Sequence, residues 1–389
     1  MRILLLASQM PYPVQNGEDL RIFEFVKQLA LRHEIHAIVY GGGEALPPNL
    51  EKCFKKIHLL DEKAIGKNTR FGFRRVVNAF RPSRMYGFDE QVDGLLNKLL
   101  TEDHYDWIWI PAWQMMPYSY GLTKRRVLLD VMDDGVLELL REARCTQSLK
   151  QRMVNLKRLL VTYFFERKYF SRVTCCCLVA DTDAQVLRRV CPKANVIIVP
   201  NGVDSEYFSP LGLPEDYPSL IFEGNMSFGP SADAVAYFCA EIFPLIKVQL
   251  PQTKLWIVGR NPTEEVRNLH ADQVIVTGSV DDVRPYLDRA SVFVCPMRKG
   301  AGIKNKILQA WAMAKPVVAS SIAAGGLCAT HGDNILIADN PGAFAQHIKR
   351  LLESPKLRRT LGQRGRETIL ERHTWQQQVQ LLEDQMKDL

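Results

Sequence analysis

Residues 291–320 read SVFVCPMRKGAGIKNKILQAWAMAKPVVAS, and this stretch decides the fold class. An apolar run, Ser291 to Pro296, is followed by a basic loop with two glycines, a helical pattern and a second apolar run that ends at Ser320. Strand, loop, helix and strand in this order are typical of a parallel sheet. A helix N-terminus offers unpaired N–H groups and the positive end of a dipole, and glycines let a ligand approach the backbone. The stretch therefore indicates a site for an anionic, hydroxyl-rich ligand such as a nucleotide diphosphate.

The helix in this stretch carries polar side chains on one face. Asn305 and Gln309 are four residues apart and Lys306 and Gln309 are three apart, so the three share that face. The buried face is predicted to contain Ile307, Leu308 and Trp311. A short glycine loop precedes many helices between parallel strands, so the loop alone leaves a purely structural interpretation open.

Length and composition restrict the class of protein. A chain of 389 residues is long for one core and indicates two domains. The composition, 47% hydrophobic and 24% charged, is typical of a soluble globular protein, and no apolar run reaches the roughly 18 residues of a membrane span. The run Ile3 to Ala7 is too short for a signal peptide and is predicted to be the first strand. Nine cysteines without the spacing of a disulfide framework or zinc site favour buried thiols in the cytoplasm.

Apolar runs alternate with helical patterns in both halves of the chain, which predicts two doubly wound α/β domains. We predict an N-terminal domain over residues 1–200, a proline-dotted linker over 201–218, a C-terminal domain over 219–372 and a final helix over 373–389. Strands are predicted at 3–7, 35–40, 56–60, 107–111, 127–131, 175–179 and 196–199, and then at 220–223, 255–258, 274–277, 292–295, 317–320 and 335–338. Helices are predicted at 21–31, 92–101, 233–249, 283–290, 304–314, 343–353, 355–372 and 374–389.

The net charge of +7 is concentrated in two segments, 66–86 and 148–172, where Lys and Arg alternate with aromatic residues. Basic amphipathic helices with aromatics can lie on anionic membrane surfaces. The alternative is a solvated basic face packed on the core by its apolar side. No nucleic-acid-binding motif accompanies the charge, so nucleic acid is not a predicted partner.

Several motifs resemble family 4 of the retaining GT-B glycosyltransferases, in particular the sugar transferases linked to exopolysaccharide gene clusters. They are GNMSFGPSADAV (224–235), LWIVGRNP (255–262), VIVTGSVDDVRPYL (274–287), RKGAGIKNKILQAWAMAKPVVAS (298–320), PYPVQNGEDLR (11–21) and VPNGVDSEYF (199–208). The resemblance is thin between Gly41 and Asp130, where family members diverge to suit their acceptors.

The resemblance implies the GT-B fold, with two Rossmann-like domains that face a central cleft and a C-terminal helix that crosses back to the N-terminal domain. It also implies a retaining transfer of sugar from a nucleotide-sugar donor to a polysaccharide, a lipid-linked acceptor or another glycan, without a metal or other cofactor. The acceptor would bind the N-terminal domain. Such an enzyme would be cytoplasmic and, if the basic segments bind lipid, peripheral at the inner face of the membrane.

Family members place the base near Gly278 to Val280, the ribose near Gln309 and the diphosphate against the 298–306 loop and Gly17. The donor-binding residues that the resemblance implies are Gly17, Asn225, Gly259, Arg260, Gly278, Val280, Gly300, Gly302, Ile303, Lys304, Asn305 and Gln309. Arg298 and Lys306 are implied to stabilise the charge on the leaving diphosphate, because preorganised donors do this best.

The sequence departs from the family pattern in two places. The family usually has glutamate where this chain has Gln309, and often another where it has Ala301; a glutamine accepts a hydrogen bond without charge. Many members also have Arg and Lys after the first strand of the C-terminal domain, whereas residues 224–233 contain neither. The cationic role must then fall on Arg298, Lys304 or Lys306, with Lys299 and Arg260 behind them.

Aspartates follow the predicted strand 127–131. Asp130, Asp133 and Asp134 could orient an acceptor hydroxyl or take its proton, and we predict a catalytic role for Asp133 and Asp134 without separating them. The alternative is a helix N-cap, since Asp is favoured there. Asp181-Thr182-Asp183 resembles the metal-binding motif of another glycosyltransferase fold, but its place between strand and helix favours capping. The glycines at 41–43 are more typical of a plain loop than of a phosphate contact.

Other functions of the same fold stay open at this point. One is a nucleotide-sugar epimerase or a glycogen-synthase-like polymerase. Another is a catalytically weak sugar-nucleotide-binding or scaffold protein, which the neutral Gln309 and Ala301 would suit. Fold alone does not decide between them.

Overall fold

The computed structural model describes residues 1–40, 48–60, 89–111, 113–145 and 149–389. These residues form two compact units: the first contains Met1–Val199 and Val379–Leu389, and the second contains Pro200–Gln378. The predicted basic segment 66–86 and the glycine run 41–43 lie outside the described residues.

The first unit is built on a parallel sheet. Its strands are β1 (Arg2–Ala7), β2 (Glu34–Tyr40), β3 (Lys56–Leu60), β4 (Trp107–Pro111), β5 (Val127–Met132), β6 (Cys175–Leu178) and β7 (Val196–Ile198). Its helices are α1 (Gly17–Leu29), α2 (Pro48–Glu51), α3 (Glu90–Glu102), α4 (Gly135–Cys145), α5 (Leu149–Tyr169) and α6 (Asp181–Val190). Two 3-10 segments are Trp113–Gly121 and Phe170–Arg172. Within the described residues the strand order is β3-β2-β1-β4-β5-β6-β7.

The second unit repeats this plan. Its strands are β8 (Ser219–Glu223), β9 (Lys254–Val258), β10 (Val274–Gly278), β11 (Val292–Cys295), β12 (Val317–Ala319) and β13 (Leu336–Ile337), in the order β10-β9-β8-β11-β12-β13. Its helices are α7 (Gly229–Tyr237), α8 (Phe243–Gln249), α9 (Glu264–Arg267), α10 (Arg284–Arg289), α11 (Asn305–Ala312), α12 (Ser321–Ala324), α13 (Pro341–Glu353) and α14 (Pro355–Arg372). The last helix, α15 (Trp375–Asp388), runs from the second unit into the first.

Interior strands of both sheets are buried on their two faces, as is typical of parallel sheets. The central strands β4, β6 and β11 have every side chain buried, and their sequences are continuous rather than alternating apolar runs. The prediction of two parallel-sheet α/β domains is confirmed. The predicted strands and the observed strands differ by no more than one residue at each end.

Two helices begin four residues earlier than predicted, and the other predicted helix boundaries differ by at most two residues. Helix α1 begins at Gly17 rather than at 21, because the Asn16 side chain accepts the N–H groups of Glu18 and Asp19 at 2.8 and 3.0 Å. The predicted helix 233–249 begins at 229 and contains a π-helical turn, Phe238–Ile242. The turn ends next to Pro244, whose missing N–H cannot continue the α-helical hydrogen bonding.

The segment 201–218 is held against the second unit. The Leu213 N–H donates to Asp288 at 2.7 Å, and Glu215 pairs with Arg358 at 3.2 Å. At the other end of the chain, Glu383 of α15 pairs with Arg32 and His33, both at 2.8 Å. The segment 201–218 therefore belongs to the second unit, and the end of the last helix belongs to the first.

Candidate functional site

The strand order reverses between β8 and β11 in the second unit. Open α/β sheets bind ligands outside the carboxyl ends of their strands at such a reversal, since the two adjoining loops diverge there. The loop after β8 starts at Gly224, and the loop after β11 is the glycine-bearing segment that precedes α11. The predicted phosphate loop thus lies at the topological switch point of this sheet.

Lys306 reaches the first of these two loops from the first turn of α11. Its Nζ donates to Ser231 Oγ at 3.2 Å and lies 4.1 Å from the centre of the Phe222 ring, a cation–π contact. A Cβ on Gly224 would lie 2.6 Å from this Nζ, so the glycine leaves the space that the ammonium group occupies. Helix α11 therefore supplies a cation to a loop that contains none of its own.

The charge on Lys306 is not neutralised by an ion pair with any residue that the structure describes. Burial lowers the pKa of Lys306, whereas nearby Cys295 and Glu223 raise it. Burial likewise raises the pKa of Glu223, and Lys306 acts in the opposite direction. A partly buried ammonium group with no paired carboxylate favours the binding of an anion from outside the chain.

Arg298, also predicted to be catalytic, is held by an acid. Its Nε and Nη2 donate to Asp233 at 3.0 and 2.8 Å, and its guanidinium lies 4.3 Å from the centre of the Tyr237 ring. Lys299 donates to the same carboxylate at 2.8 Å. Although burial raises the pKa of Asp233, the hydrogen bonds from these two cations lower it overall. The pairing fastens the loop after β11 to α7.

Lys304 fixes the shape of the same loop. Its buried Nζ donates to the carbonyl oxygens of Ala301 and Gly302 at 2.5 and 2.8 Å. Gly300 and Gly302 have φ angles of 101° and 64°, a region that glycine adopts without strain. Ile303, which follows Gly302 and precedes Lys304, is buried. Lys304 therefore acts on the loop backbone, and Lys306 is the lysine that points to the neighbouring loop.

The polar face of α11 contains two amides with different surroundings. Asn305 accepts a hydrogen bond from Asn201 at 2.9 Å, which ties the helix to the Pro200-Asn201-Gly202 turn. Gln309 is half-buried, and its side chain makes no hydrogen bond to the described residues. The Gln309 side chain is thus available to bind a ligand, whereas the Asn305 side-chain oxygen already accepts the hydrogen bond from Asn201.

The loop after β9 comes close to the loop after β8. A Cβ on Gly259 would lie 1.8 Å from the Gly224 carbonyl oxygen, so only glycine fits. The Arg260 carbonyl accepts the Met226 N–H at 2.9 Å, and the Arg260 guanidinium makes no ion pair with any described residue. Arg260 is therefore a second cation at this end of the sheet without a bound acid.

The remaining predicted donor residues also lie at the carboxyl end of the sheet. Asn225 closes a turn, with its side-chain oxygen accepting Ser227 N–H and O–H groups at 3.1 and 2.8 Å. Gly278 is the last residue of β10, and its carbonyl accepts the Gly259 N–H at 3.2 Å. Val280 lies two residues further and is half-buried.

Three predicted site residues, Gly17, Asp133 and Asp134, belong to the first unit rather than the second. Gly17 is the first residue of α1, directly after the Asn16 cap. Asp133 is half-buried, and Asp134 is buried. The two aspartates follow Met132, whose φ of 63° is uncommon outside glycine and marks a strained turn at the end of β5.

Asp134 has a structural role that separates it from Asp133. Its side chain accepts the Leu137 N–H at 2.7 Å, and its own N–H donates to Asp183 at 2.9 Å. The N-cap interpretation of Asp134 is confirmed. Burial raises the pKa of Asp134 to about 7, and the negative charges of Asp183 and Asp133 add to the effect. Asp133 is the more accessible of the two for a substrate.

Glu166 of α5, which was not among the predicted site residues, faces the same junction. It is fully buried, and an added Cβ on Gly135 would lie 3.3 Å from its Oε1. Burial raises the pKa of Glu166 well above its usual value, and the charge of Asp134 adds to the rise. The only sequence signal is that this acid stands in a helix otherwise rich in basic and apolar residues.

Asp130 is not part of an acceptor site, in contrast to the interpretation from sequence. It forms a 2.9 Å ion pair with Arg21, and both side chains are completely buried. Arg21 also contacts Cys177 Sγ at 3.4 Å and stacks 4.4 Å from the Phe25 ring centre. Each charge interrupts an apolar pattern, which could have marked Arg21 and Asp130 as buried from sequence alone.

Two wider observations concern the described part of the chain. No helix there is long and apolar enough to cross a membrane. No group of three or more His, Cys, Asp or Glu residues there could hold a metal ion, and Asp181 and Asp183 lie in the first turn of α6.

Comparison with known proteins finds sequence similarity in the second unit. The family described as "Glycosyl transferases group 1" matches residues 217–354. The lipopolysaccharide core biosynthesis glycosyltransferase LpsE from Rhizobium meliloti is 34% identical over 132 residues, which cover 31% of this chain and 38% of LpsE. The matched part spans about a third to a half of the length of the curated relatives.

Solved structures match over the whole chain. Sucrose-phosphate synthase from Thermosynechococcus elongatus aligns with a TM-score of 0.74 and 17% identity, and covers 100% of this chain and 99% of its own. HepE from Anabaena, solved with UDP and glucose, aligns with a TM-score of 0.67 and 14% identity over 99% of both chains. At this identity the likeness concerns the fold. The chain therefore has the GT-B fold of these structures, and its residues 217–354 are similar to the group 1 glycosyl transferases.

Proposed function

We propose that this protein is a retaining, metal-independent glycosyltransferase that moves a sugar from a nucleotide-sugar donor to a polysaccharide, lipid-linked or other glycan acceptor. We also propose an anionic membrane surface as a partner. The donor would bind at the switch point of the second unit, and the acceptor would bind the first unit. HepE is described in complex with UDP and with UDP-glucose, so uridine nucleotides are the first probes to use.

The observation that carries the donor proposal is the Lys306 ammonium group, which lies at the switch point without an ion pair among the described residues. Sugar transfer from a nucleotide diphosphate leaves a negative charge on the departing phosphate. A cation and helix N–H groups held in place before the reaction stabilise that charge without reorganisation. Arg260 is the second free cation for the same task, whereas Arg298 would act through the loop that it fastens.

On the acceptor side, Asp133 is the residue that we assign to contact with a hydroxyl group. It follows the strained Met132 and is half-buried, so it can meet a substrate while its neighbour Asp134 caps α4. A carboxylate in this place can accept a hydrogen bond from the acceptor hydroxyl and orient it.

The experiment is a thermal-shift screen against nucleoside diphosphates, followed by incubation of the preferred nucleotide's sugars with and without membrane or glycan extracts. Transfer of labelled sugar to a product that keeps the anomeric configuration of the donor supports the proposal. Nucleotide binding without transfer or hydrolysis would favour the scaffold alternative, which the neutral Gln309 suits. Interconversion of the nucleotide sugars without acceptor would favour an epimerase.

Metal independence has its own test. The reaction should keep its rate in excess EDTA, because the cationic role is assigned to Lys306 and Arg260. Activity that is lost with EDTA and restored by manganese would contradict this assignment and direct attention to Asp181 and Asp183.

A further inference from the structure

Helix α5 has an exposed apolar face. Five large hydrophobic side chains recur at intervals of three and four residues, so they lie along one side of the helix. Leu149, Met153 and Phe164 are 76%, 75% and 63% exposed, values that are unusual for side chains of this size. We call the set the apolar stripe; it consists of Leu149, Met153, Leu156, Leu160 and Phe164.

The apolar stripe is not needed to hold α5 in the fold. The opposite face is buried and includes Phe165, whose ring centre lies 5.7 Å from that of Trp113 and 6.2 Å from that of Phe170. A helix that is anchored by one face and apolar on the other has a surface suited to an external partner.

The charges around the stripe are of one sign. Exposed basic side chains border it along the helix: Lys150, Arg152, Lys157, Arg167 and Lys168. Glu166 is the single acidic residue of α5, and it is buried on the other side. The exposed face of α5 therefore combines apolar and positive groups without a carboxylate.

We propose that the apolar stripe inserts among the headgroups of an anionic bilayer, with the bordering lysines and arginines on lipid phosphates. This inference rests on the membrane partner named in the proposed function, and it identifies the surface. Apolar residues flanked by Lys and Arg are what an in-plane membrane helix requires. A second copy of the chain fits less well, because two such faces would bring like charges together.

The first test is sedimentation with vesicles of phosphatidylglycerol and phosphatidylcholine, and with phosphatidylcholine alone. Wild-type protein should bind the anionic vesicles at low salt and be released at high salt, since salt screens the attraction. Lys150→Gln with Lys157→Gln should weaken binding by about 25-fold, roughly fivefold for each lysine. Met153→Ser, Leu160→Ser and Phe164→Ser together should weaken it at least about tenfold.

A matched control comes from the second unit, where Val248 of α8 is 82% exposed beside Lys247. Lys247→Gln with Val248→Ser should leave vesicle binding unchanged. All variants should keep the wild-type circular dichroism spectrum and thermal unfolding curve, which shows that they fold. A wild-type protein that binds vesicles but no nucleotide would contradict the proposed donor binding, but it would not contradict the proposal that the apolar stripe binds a membrane.

The second test uses insertion depth and does not depend on loss of binding. Phe164→Trp should gain fluorescence that brominated lipids quench, whereas Val248→Trp should gain fluorescence that they do not quench. Absence of vesicle binding at low salt, or of quenching in the Phe164→Trp protein, would overturn the proposal. So would a concentration-dependent dimer that the triple serine variant abolishes in a protein that ignores vesicles, because the stripe would then belong to a second copy.

Discussion

Each of the two units places a cation on a helix next to its strand reversal, and the two cations differ in what surrounds them. Arg21 of α1 is completely buried and forms a 2.9 Å ion pair with Asp130 of β5. Lys306 of α11 is half-buried and touches the Phe222 ring and Ser231, with no ion pair among the described residues. The first cation has its anion inside the fold, and the second has room for an anion from solution.

The physical basis of the difference is desolvation. A charge removed from water must be compensated by a partner, and a fully buried cation without one is strongly destabilising. Burial lowers the pKa of Arg21 by itself, and the Asp130 charge reverses this so that the pKa is raised overall. For Lys306 burial prevails and the pKa is lowered. By this criterion Arg21 and Asp130 form a structural ion pair, whereas Lys306 is a candidate group for binding an anion.

The largest expected effect comes from breaking the structural pair. Asp130→Ala removes the carboxylate that neutralises the completely buried Arg21, so the free energy of unfolding should fall by about 3–5 kcal/mol. Urea unfolding followed by circular dichroism measures it. The double variant Arg21→Met with Asp130→Leu should recover most of the loss, because no charge is then left without a partner. If the Asp130→Ala protein were as stable as wild type, Arg21 would have to reach solvent in that variant. The contrast between a structural Arg21 and a ligand-binding Lys306 would then be wrong.

Lys306→Ala should act in the opposite way. We expect turnover to fall by roughly a hundredfold, the scale of one preorganised donor, with stability within about 1 kcal/mol of wild type. Arg298→Ala is the matched comparison, since its guanidinium is already bound to Asp233; we expect a loss of no more than about tenfold. Steady-state rates and unfolding curves of both variants decide the point. An equal loss for both would return Arg298 to the catalytic role that the sequence indicated.

The fold could be predicted from sequence because parallel strands are buried on both faces. Their apolar runs therefore stand out, as in WIWIP of β4 and VFVC of β11. The helix boundaries were less certain, because they depend on single residues. Asn16 moves the start of α1 back by four residues, and Pro244 interrupts a helix that periodicity alone continues.

The site was predictable only in part. The position of the phosphate loop followed from strand–loop–helix order, but the three lysines and the arginine near it looked alike in sequence. Asp233, the partner of Arg298, lies 65 residues away and has no local signature. The partners of Lys304 are carbonyl oxygens of its own loop, which no side-chain pattern marks. Asp133 and Asp134 could not be separated for the same reason: the acid that contacts Asp134 is Asp183, which lies 49 residues away.

The carboxylates at the end of β5 give stability a pH dependence in the acidic to neutral range. Because the pKa of Asp134 is raised to about 7, the folded state holds a proton between about pH 4 and 7 that the unfolded state releases. Stability should therefore fall as pH rises through this range. The titratable groups facing Asp134 are Asp183 of α6, Glu166 of α5 and the adjoining Asp133, all acidic. The backbone N–H groups of Leu137 and Val136 lower the pKa of Asp134, but burial outweighs them.

Asp134→Asn tests this dependence and keeps the hydrogen bond to Leu137, because asparagine is also a good N-cap. Between pH 5 and pH 8 the wild-type free energy of unfolding should fall by about 2 kcal/mol more than that of the variant, since each unit of pKa difference is worth about 1.4 kcal/mol. Urea titrations at both pH values measure it. Parallel pH curves for the two proteins would show that Asp134 is ionised in the fold throughout.

The smallest expected effect concerns Gln309, whose side chain has no hydrogen bond to the described residues. If it faces the ribose of a bound nucleotide, Gln309→Ala should weaken nucleotide binding by about 1 kcal/mol, the net value of one hydrogen bond. Gln309→Glu should strengthen binding or leave it intact, because a carboxylate accepts hydroxyl groups more strongly. Asn305→Ala serves as the comparison, since Asn305 is bound to Asn201 and its loss should also lower stability. Calorimetry with unchanged affinity for both Gln309 variants would show that the ligand lies elsewhere on the sheet edge, and Lys306 would then be a cation without its anion.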